Sequence, residues 1–498
     1  MIQDLFNHLA IGFSVALSPT NLLVCLIGCL GGTLIGVLPG IGPVTTIALM
    51  LPLTFYLEPV SGLIMLAGIF YGAQYGGSTT AILVNMPGET SSVMTALDGH
   101  AMAKQGRAGP ALTTAALVSL FAGVVSTLVI CLAAPPLSEL GKSFGAPEYC
   151  ALMTLGLIGA VVIASGSILK ALAMMLLGLL LGIVGIDLNT GDGRFTFDWP
   201  TLMDGIDFVP ISVGIYGLGE IISNLRTTDH RPVSGVKLQM WPTREDVRRA
   251  TPAAMRGTAV GCIIGILPGG GAALSSFMSY MVEKKVARDP SMFGKGAIEG
   301  VAAPEAANNA GAQTSFIPML TLGIPGNAVM AVMVAALMIH GINPGPGVIE
   351  EKPDLFWGIV ASMFIGNVML VIINLPLIGI WVSLLRIPYR VLYLAIIAFC
   401  AIGAYAFRGN PNDVLIAAVF GAIGYFFIVY RCEAAPLLLG FVLGPRLEDN
   451  LRSSMLISGG DLMIFVQRPI SLGLFLATIA LVLLIVLPSF RRTREEAL

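Results

Sequence analysis

Gly36-Val37-Leu38-Pro39-Gly40-Ile41-Gly42 interrupts a long apolar run, and Gly265-Ile266-Leu267-Pro268-Gly269-Gly270-Gly271 interrupts another in the second half of the chain. Glycine and proline are frequent in membrane helices, but frequency alone does not explain why the two stretches match. Paired Gly/Pro interruptions at corresponding places in two apolar halves are typical of a transporter binding site. The pair therefore suggests two related half-units.

Two further pairs of landmarks follow in the same order. Gly72-Ala73-Gln74 and Met86-Pro87-Gly88-Glu89 in the first half correspond to Gly311-Ala312-Gln313 and Ile324-Pro325-Gly326-Asn327 in the second. The matches persist across small gaps, which supports a repeat rather than chance similarity. We therefore predict a second broken element in each half.

The composition sets the class of protein. Of 498 residues, 56% are hydrophobic and 11% are charged, which is too apolar for a soluble protein of this size. Apolar runs long enough to cross a bilayer, about 20 residues each, recur along the chain. We predict an all-α polytopic membrane protein with about 10 to 14 membrane segments, including re-entrant hairpins and broken helices.

Charge and cysteine content exclude other classes. The net charge of −2 argues against a nucleic-acid partner. The seven cysteines lie mostly in apolar segments without metal-ligand spacing, so we interpret them as packing residues.

Basic residues predict the orientation of the halves. Residues 1–103 contain no Lys or Arg, so their loops are expected outside, and the first hairpin opens outward. The second Pro-Gly element, residues 257–282, has basic residues on both flanks and is expected to open towards the cytoplasm. Together these predict an inverted-topology repeat.

Four segments follow from this pattern. We predict a first membrane repeat (1–225), a basic cytoplasmic loop (226–256), a second, inverted repeat (257–430), and C-terminal membrane segments with a basic tail (431–498). The charge pattern leaves the topology of residues 431–470 open.

The broken helices supply the predicted chemistry. A half-helix N-terminus favours a carboxylate, and free carbonyls with Ser, Thr or Asn oxygens suit Na⁺. The candidate substrate-binding residues are Pro39, Gly40, Ile41, Gly42, Gln74, Ser78, Thr79, Asn85, Pro268, Gly269, Gly270, Gly271, Gln313, Thr314, Ser315 and Asn327. The candidate coupling-ion residues are Gly88, Glu89, Glu305, Asn308, Asn309 and Gly326. Apart from Na⁺ or H⁺ as coupling ion, no metal or cofactor is predicted.

Each of these residues has a structural alternative. Single Ser, Thr and Asn residues in membrane helices often only bond neighbouring helices. Glu89 and Glu305 are ionisable groups in apolar surroundings, which favours a role in binding a cation or carrying a proton. Equally, either could lie solvated at an aqueous boundary.

Several short motifs together are distinctive: residues 36–43, 71–89, 98–100, 194–197, 265–271, 303–313 and 323–326. In these motifs the sequence resembles the TctA family, the large membrane subunits of the tripartite tricarboxylate transporters. This resemblance implies a bacterial inner-membrane secondary transporter driven by a Na⁺ or proton gradient. It also implies a small four-helix membrane subunit and a periplasmic binding protein that delivers a carboxylate such as citrate.

Other function classes fit less well, and we predict no enzymatic activity. An intramembrane aspartyl protease needs two facing Asp residues, whereas Asp192 lies in an Asp-rich loop without a central second Asp. The chain has no phosphate-binding loop of the kind an ATP-driven pump requires. A channel or a stand-alone carrier is the open alternative. The substrate, the coupling ion, the oligomeric state and the transport motion are also open, with an elevator motion favoured by analogy.

Overall fold

The computed structural model describes residues 2–38, 42–85, 89–164, 167–187, 190–224, 240–267, 271–384 and 389–486. In these ranges the regular secondary structure is helical except for one short hairpin, β1 (Gly185–Ile186) paired antiparallel with β2 (Gly193–Arg194). The helices are α1 (Ile2–Ala16), α2 (Pro19–Gly36), α3 (Pro43–Thr54), α4 (Pro59–Val84), α5 (Val93–Lys104), α6 (Ala108–Lys142), α7 (Ala146–Ile163), α8 (Ile168–Gly182), α9 (Pro200–Met203), α10 (Phe208–Ser212), α11 (Gly219–Asn224), α12 (Arg244–Ile266), α13 (Gly271–Val286), α14 (Glu299–Thr314), α15 (Phe316–Leu322), α16 (Ala328–Ile339), α17 (Val348–Glu351), α18 (Pro353–Asn374), α19 (Ile378–Leu384), α20 (Tyr389–Arg408), α21 (Pro411–Val429), α22 (Ala435–Ser458), α23 (Ile464–Gln467) and α24 (Pro469–Val486).

The helices have the apolar character that a bilayer requires. By length and composition, α2, α6, α18 and α21 can each cross a membrane, and several shorter apolar helices accompany them. The predicted all-α polytopic membrane fold is confirmed. The number of membrane segments and the inverted orientation of the halves stay predictions.

Close backbone contact joins α2 to α4. The face of α2 that meets α4 carries glycine at every fourth position: Gly28, Gly32 and Gly36. A Cβ atom on Gly32 would lie 2.3 Å from the carbonyl oxygen of Ile69, closer than any real side chain permits. Small residues at this spacing let membrane helices pack backbone to backbone.

The same contact recurs between α12 and α14. The glycines are Gly257, Gly261 and Gly265. A Cβ atom on Gly261 would lie 2.5 Å from the carbonyl oxygen of Ala307. Each Pro-Gly interruption thus follows a helix that glycine packing holds against a later helix of the same half.

The two long helices α6 and α18 pack across the halves. Helix α6 follows the first broken elements in sequence but contacts α12, α14 and α15. Helix α18 follows the second broken elements but contacts α2 and α4. Each half therefore helps to cover the glycine-packed helices of the other.

Some element boundaries differ from the sequence prediction. Helix α12 begins at Arg244, inside the predicted loop 226–256, because Thr243 and Asp246 form a reciprocal capping box. The apolar stretch 356–384 is divided between α18 and α19, since Pro376 between them lacks the N–H that a continuous helix needs. The charged stretch 446–452 lies within one helix, α22, where Arg452 pairs with Glu448 one turn away.

Candidate functional site

The residues at the two ends of the second interruption have the same backbone conformations in both halves. Helix α4 ends at Asn85, which is left-handed with φ 59°, and α15 ends at Gly323, which is left-handed with φ 71°. Beyond each break an extended residue, Glu89 or Asn327, precedes the next helical turn. A left-handed residue is a common way to end a helix and redirect the chain.

Part of the predicted site lies outside the described residues. This holds for the tips Pro39, Gly40, Ile41, Pro268, Gly269 and Gly270, and for Gly88 in the first interruption. The described tip residues are Gly42, at the N-cap of α3, and Gly271, which begins α13 with φ 58°.

In the second half, Leu267 and Gly271, which flank the first interruption, lie against the second interruption. A Cβ atom on Gly271 would be 3.0 Å from Nδ2 of Asn327, and one on Gly326 would be 3.7 Å from the carbonyl oxygen of Leu267. Asn327 Nδ2 also donates to Ser315 Oγ at 3.3 Å. We call Gly271, Ser315, Gly326 and Asn327 the tip cluster.

A buried carboxylate lies where the halves meet. Glu305 of α14 is 1% exposed. Its Oε1 accepts a hydrogen bond from Ser78 Oγ of α4 at 2.7 Å and a longer one from Ser119 Oγ of α6 at 3.5 Å. Its Oε2 accepts from Thr95 Oγ1 of α5 at 2.8 Å. We call these four residues, with Asn309, the carboxylate cluster.

The charge of Glu305 has no cationic counterpart in the described structure. Within the ranges given above, no Lys, Arg or His forms a salt bridge with it. Hydroxyl hydrogen bonds offset part of the cost of burying a carboxylate, but neutralising it requires a cation or a proton.

Two asparagines of α14 extend the cluster. Asn308 Oδ1 accepts from Gln74 Nε2 at 3.2 Å, and Asn308 Nδ2 donates to Glu89 Oε1 at 3.5 Å. Asn309 Nδ2 donates to Ser119 Oγ at 2.7 Å. Asn308 thus bonds Glu89 directly, and Asn309, the next residue of α14, is linked to Glu305 through Ser119.

Other candidates have bonds typical of helix packing. Gln313 Oε1 accepts from Ser126 and Thr127 of α6 at 2.9 and 2.8 Å. Thr79 and Thr314 donate to carbonyls of their own helices. Whether these residues touch substrate stays a prediction.

Sequence reasoning missed the contribution of α5 and α6. Thr95, Ser119, Ser126 and Thr127 bond the predicted site residues, yet none stands beside a Pro-Gly element. The sequence does carry one signal for α6: Ser119 and Ser126 are polar residues of an apolar helix, and their spacing of seven residues places them on one face.

The chain is similar to members of a known protein family. The model of the "Tripartite tricarboxylate transporter TctA family" matches residues 22–439. An Agrobacterium vitis protein named "Uncharacterized 52.8 kDa protein in TAR-I ttuC' 3'region" is 56% identical over 497 residues, which cover 99% of both chains. A second protein of that organism, "Uncharacterized protein in TAR-II ttuC' 3'region", is 57% identical over 236 residues, which cover 47% of this chain and 98% of that protein. No solved structure matches this chain significantly.

Proposed function

This chain belongs to the tripartite tricarboxylate transporter TctA family, and from that membership we propose that it is the large membrane subunit of a secondary carrier that imports an organic carboxylate. The proposed substrate is citrate or a related anion, and the driving force is a Na⁺ or proton gradient across the bacterial inner membrane. A small four-helix membrane subunit and a periplasmic binding protein are the proposed partners.

The buried carboxylate cluster carries the proposal. Glu305 from the second half bonds Ser78 from the first, and no basic side chain of the described residues pairs with it. An intramembrane acid held between two repeats is typical of a site that takes up a cation or proton during transport. An exchangeable cation here would therefore affect how the halves pack.

The hairpins supply the proposed substrate site. Helices α3 and α13 begin beside the two Pro-Gly interruptions, and the first amide N–H groups of a helix carry partial positive charge. A substrate carboxylate bound there is stabilised without Lys or Arg. In the second half, Asn327 of the tip cluster provides an additional polar group beside this start.

Uptake into proteoliposomes tests the function. The vesicles contain this chain and its small membrane partner, and labelled citrate is offered with or without the binding protein under an imposed Na⁺ or proton gradient. We expect saturable uptake that needs both the gradient and the binding protein. Success with another carboxylate would change only the substrate, whereas non-saturating flux independent of a gradient would contradict the carrier and support a channel.

A matched pair of variants links uptake to the carboxylate cluster. In Glu305→Gln the carboxylate becomes a neutral amide of the same size, so gradient-driven uptake is expected to fall below about 1% of wild type, the scale of losing one essential charged group. Glu299→Gln alters an acid on the same helix that is paired with Arg249 at 2.7 Å, and it should retain most activity. Equal activity in both variants would exclude a coupling role for Glu305.

A further inference from the structure

A small cavity adjoins the carboxylate cluster. It has a volume of about 20 Å³, enough for one water-sized particle. Helices α4, α6, α14 and α18 surround it. Its polar lining residues are Tyr75, Ser78, Thr79, Ser119, Glu305 and Asn374.

Asn374 adds a buried amide to the lining of the cavity. This residue of α18 is 5% exposed, and its Nδ2 donates to the carbonyl oxygen of Leu370 at 2.8 Å. Its Oδ1 is buried and has no hydrogen-bond partner in the described part of the chain. A buried amide oxygen without a partner is costly, and because Asn374 lines the cavity, a hydrogen-bond donor or a cation bound there can satisfy it.

The serine hydroxyls can also serve as ligands. Ser78 and Ser119 direct their hydrogens to Glu305, which leaves lone pairs on both oxygens. Ser119 accepts one bond from Asn309, at 2.7 Å, and keeps one further acceptor position. The cavity thus combines one carboxylate with several neutral oxygens.

This donor set selects a class of ion. Oxygen ligands suit hard cations, and sites for divalent ions usually gather more than one carboxylate or a phosphate. A single carboxylate with neutral oxygens is neutralised by one monovalent ion. A proton would neutralise Glu305 but would not itself contact Asn374, whereas one cation in the cavity can meet both groups.

We propose that this cavity binds one sodium ion, held by the carboxylate of Glu305, the hydroxyl oxygens of Ser78 and Ser119, and the amide oxygen of Asn374. The inference rests on the proposed carrier function and identifies its coupling ion. It adds ligands from α6 and α18, the two helices that pack across the halves. Sodium bound here joins four helices, so its release loosens the contact between the two half-units.

Sodium binding to the purified full chain tests the site without transport. Thermal unfolding in detergent is followed while NaCl replaces choline chloride at constant ionic strength, and KCl serves as the ion control. Because a ligand that binds only the folded state stabilises it by mass action, we expect a saturable rise in melting temperature with Na⁺. Equilibrium binding of ²²Na⁺ provides the second readout.

Variants on one helix separate ligand from packing effects. Asn374→Ala and Ser119→Ala should each raise the half-saturating Na⁺ concentration by about tenfold or more. Asn367→Ala is the matched control, because Asn367 is also buried on α18, donates Nδ2 to its own helix and has an Oδ1 without a partner in the described residues, but does not line the cavity. We expect its sodium affinity to match that of wild type.

Three outcomes would overturn the sodium site: equal stabilisation by K⁺, stabilisation by protons without any Na⁺ effect, or equal loss of affinity in Asn374→Ala and Asn367→Ala. If carboxylate uptake is then driven by a proton gradient, the proposed carrier function is supported and only the sodium site is contradicted. Sodium binding with no carboxylate uptake in the complete system would instead overturn the carrier and leave the site standing.

Discussion

Asp98 of α5 joins the first half of the molecule to the loop before α14. It is fully buried, and its Oδ1 accepts hydrogen bonds from the backbone N–H groups of Gly294, Gly296 and Ala297 at 2.8 to 2.9 Å. Its Oδ2 accepts from the hydroxyl of Tyr280 at 2.9 Å. Three backbone donors on one oxygen are best satisfied by a carboxylate, because it accepts at both oxygens and donates at neither.

We therefore predict that Asp98→Asn destabilises the protein by about 1–3 kcal/mol, since an amide leaves either the backbone donors or Tyr280 without an acceptor. The measurement is thermal or denaturant unfolding in detergent. Asp289→Asn is the control, because Asp289 is exposed and caps only its local turn through Ser291. If both variants unfold at the same midpoint, Asp98 does not stabilise the fold in this way.

At the scale of helices, adjacent glycines of α2 should behave differently. A Cβ atom on Gly32 would meet the backbone oxygen of Ile69 at 2.3 Å, whereas one on Gly31 would meet only the flexible end of Met50 at 3.3 Å. Gly32→Ala must push α2 from α4, and we expect a loss of about 1–3 kcal/mol. Gly31→Ala should be neutral or slightly stabilising, because alanine favours a helix. The test is the melting temperature of both variants, and equal values would contradict the packing.

A second prediction concerns the contact of the β1–β2 hairpin with α22. Arg194 of β2 donates to both carboxylate oxygens of Glu448, at 2.9 and 2.8 Å, and also pairs with Asp187. The hydrogen bonds from Arg194 hold the pKa of Glu448 below its ordinary value. A carboxyl group with a depressed pKa in the folded state stabilises the protein above its unfolded pKa. That contribution disappears as the pH falls through the folded value.

Arg194→Gln should therefore lower the melting temperature at pH 7, and the difference from wild type should shrink below about pH 4. Unfolding of both proteins between pH 3.5 and 8 is the measurement. Lys142→Gln removes an exposed pair with Glu139 and Glu350 and should have little effect at any pH. A difference for Arg194→Gln that stays constant across this range would exclude the ionised Glu448 as its partner.

The sequence predicted where helices end better than it predicted which helices touch. Helices α2 and α12 end where the Gly and Pro residues of the first interruption begin. Helices α4 and α15 end at Asn85 and Gly323, beside the second interruptions that the sequence predicted. The bonds of Glu305 with Thr95 and Ser119 could not be predicted, because neither residue stands beside a Pro-Gly element and the spacing of Ser119 and Ser126 shows only that these two share a helix face. Their role depends on how helices pack, and periodicity gives only the face of one helix.

For the molecule as a whole, the two halves depend on each other because α6 packs on helices of the second half and α18 packs on helices of the first. Ser126 and Thr127 of α6 bond Gln313 of the second half, and α18 covers α2 and α4 of the first. A half without its partner would expose Glu305 and Gln313 to lipid, where unpaired polar groups are costly. Hydropathy could suggest two related units, but it does not say which helix covers which.

A divided chain tests this interdependence. Residues 1–230 and 231–498, separated in the basic segment that lies outside the described residues, are expressed together with a tag on one half only. We expect both halves to co-purify and to melt as one species, because every contact of α6 and α18 across the halves can form between separate chains. Each half alone should aggregate or be degraded. As a control, a division within α6 after Gly123 should prevent assembly, because it separates Ser119 from Ser126 on the face that meets α14. Two halves that are each monodisperse alone and fail to co-purify would show that they fold as independent units.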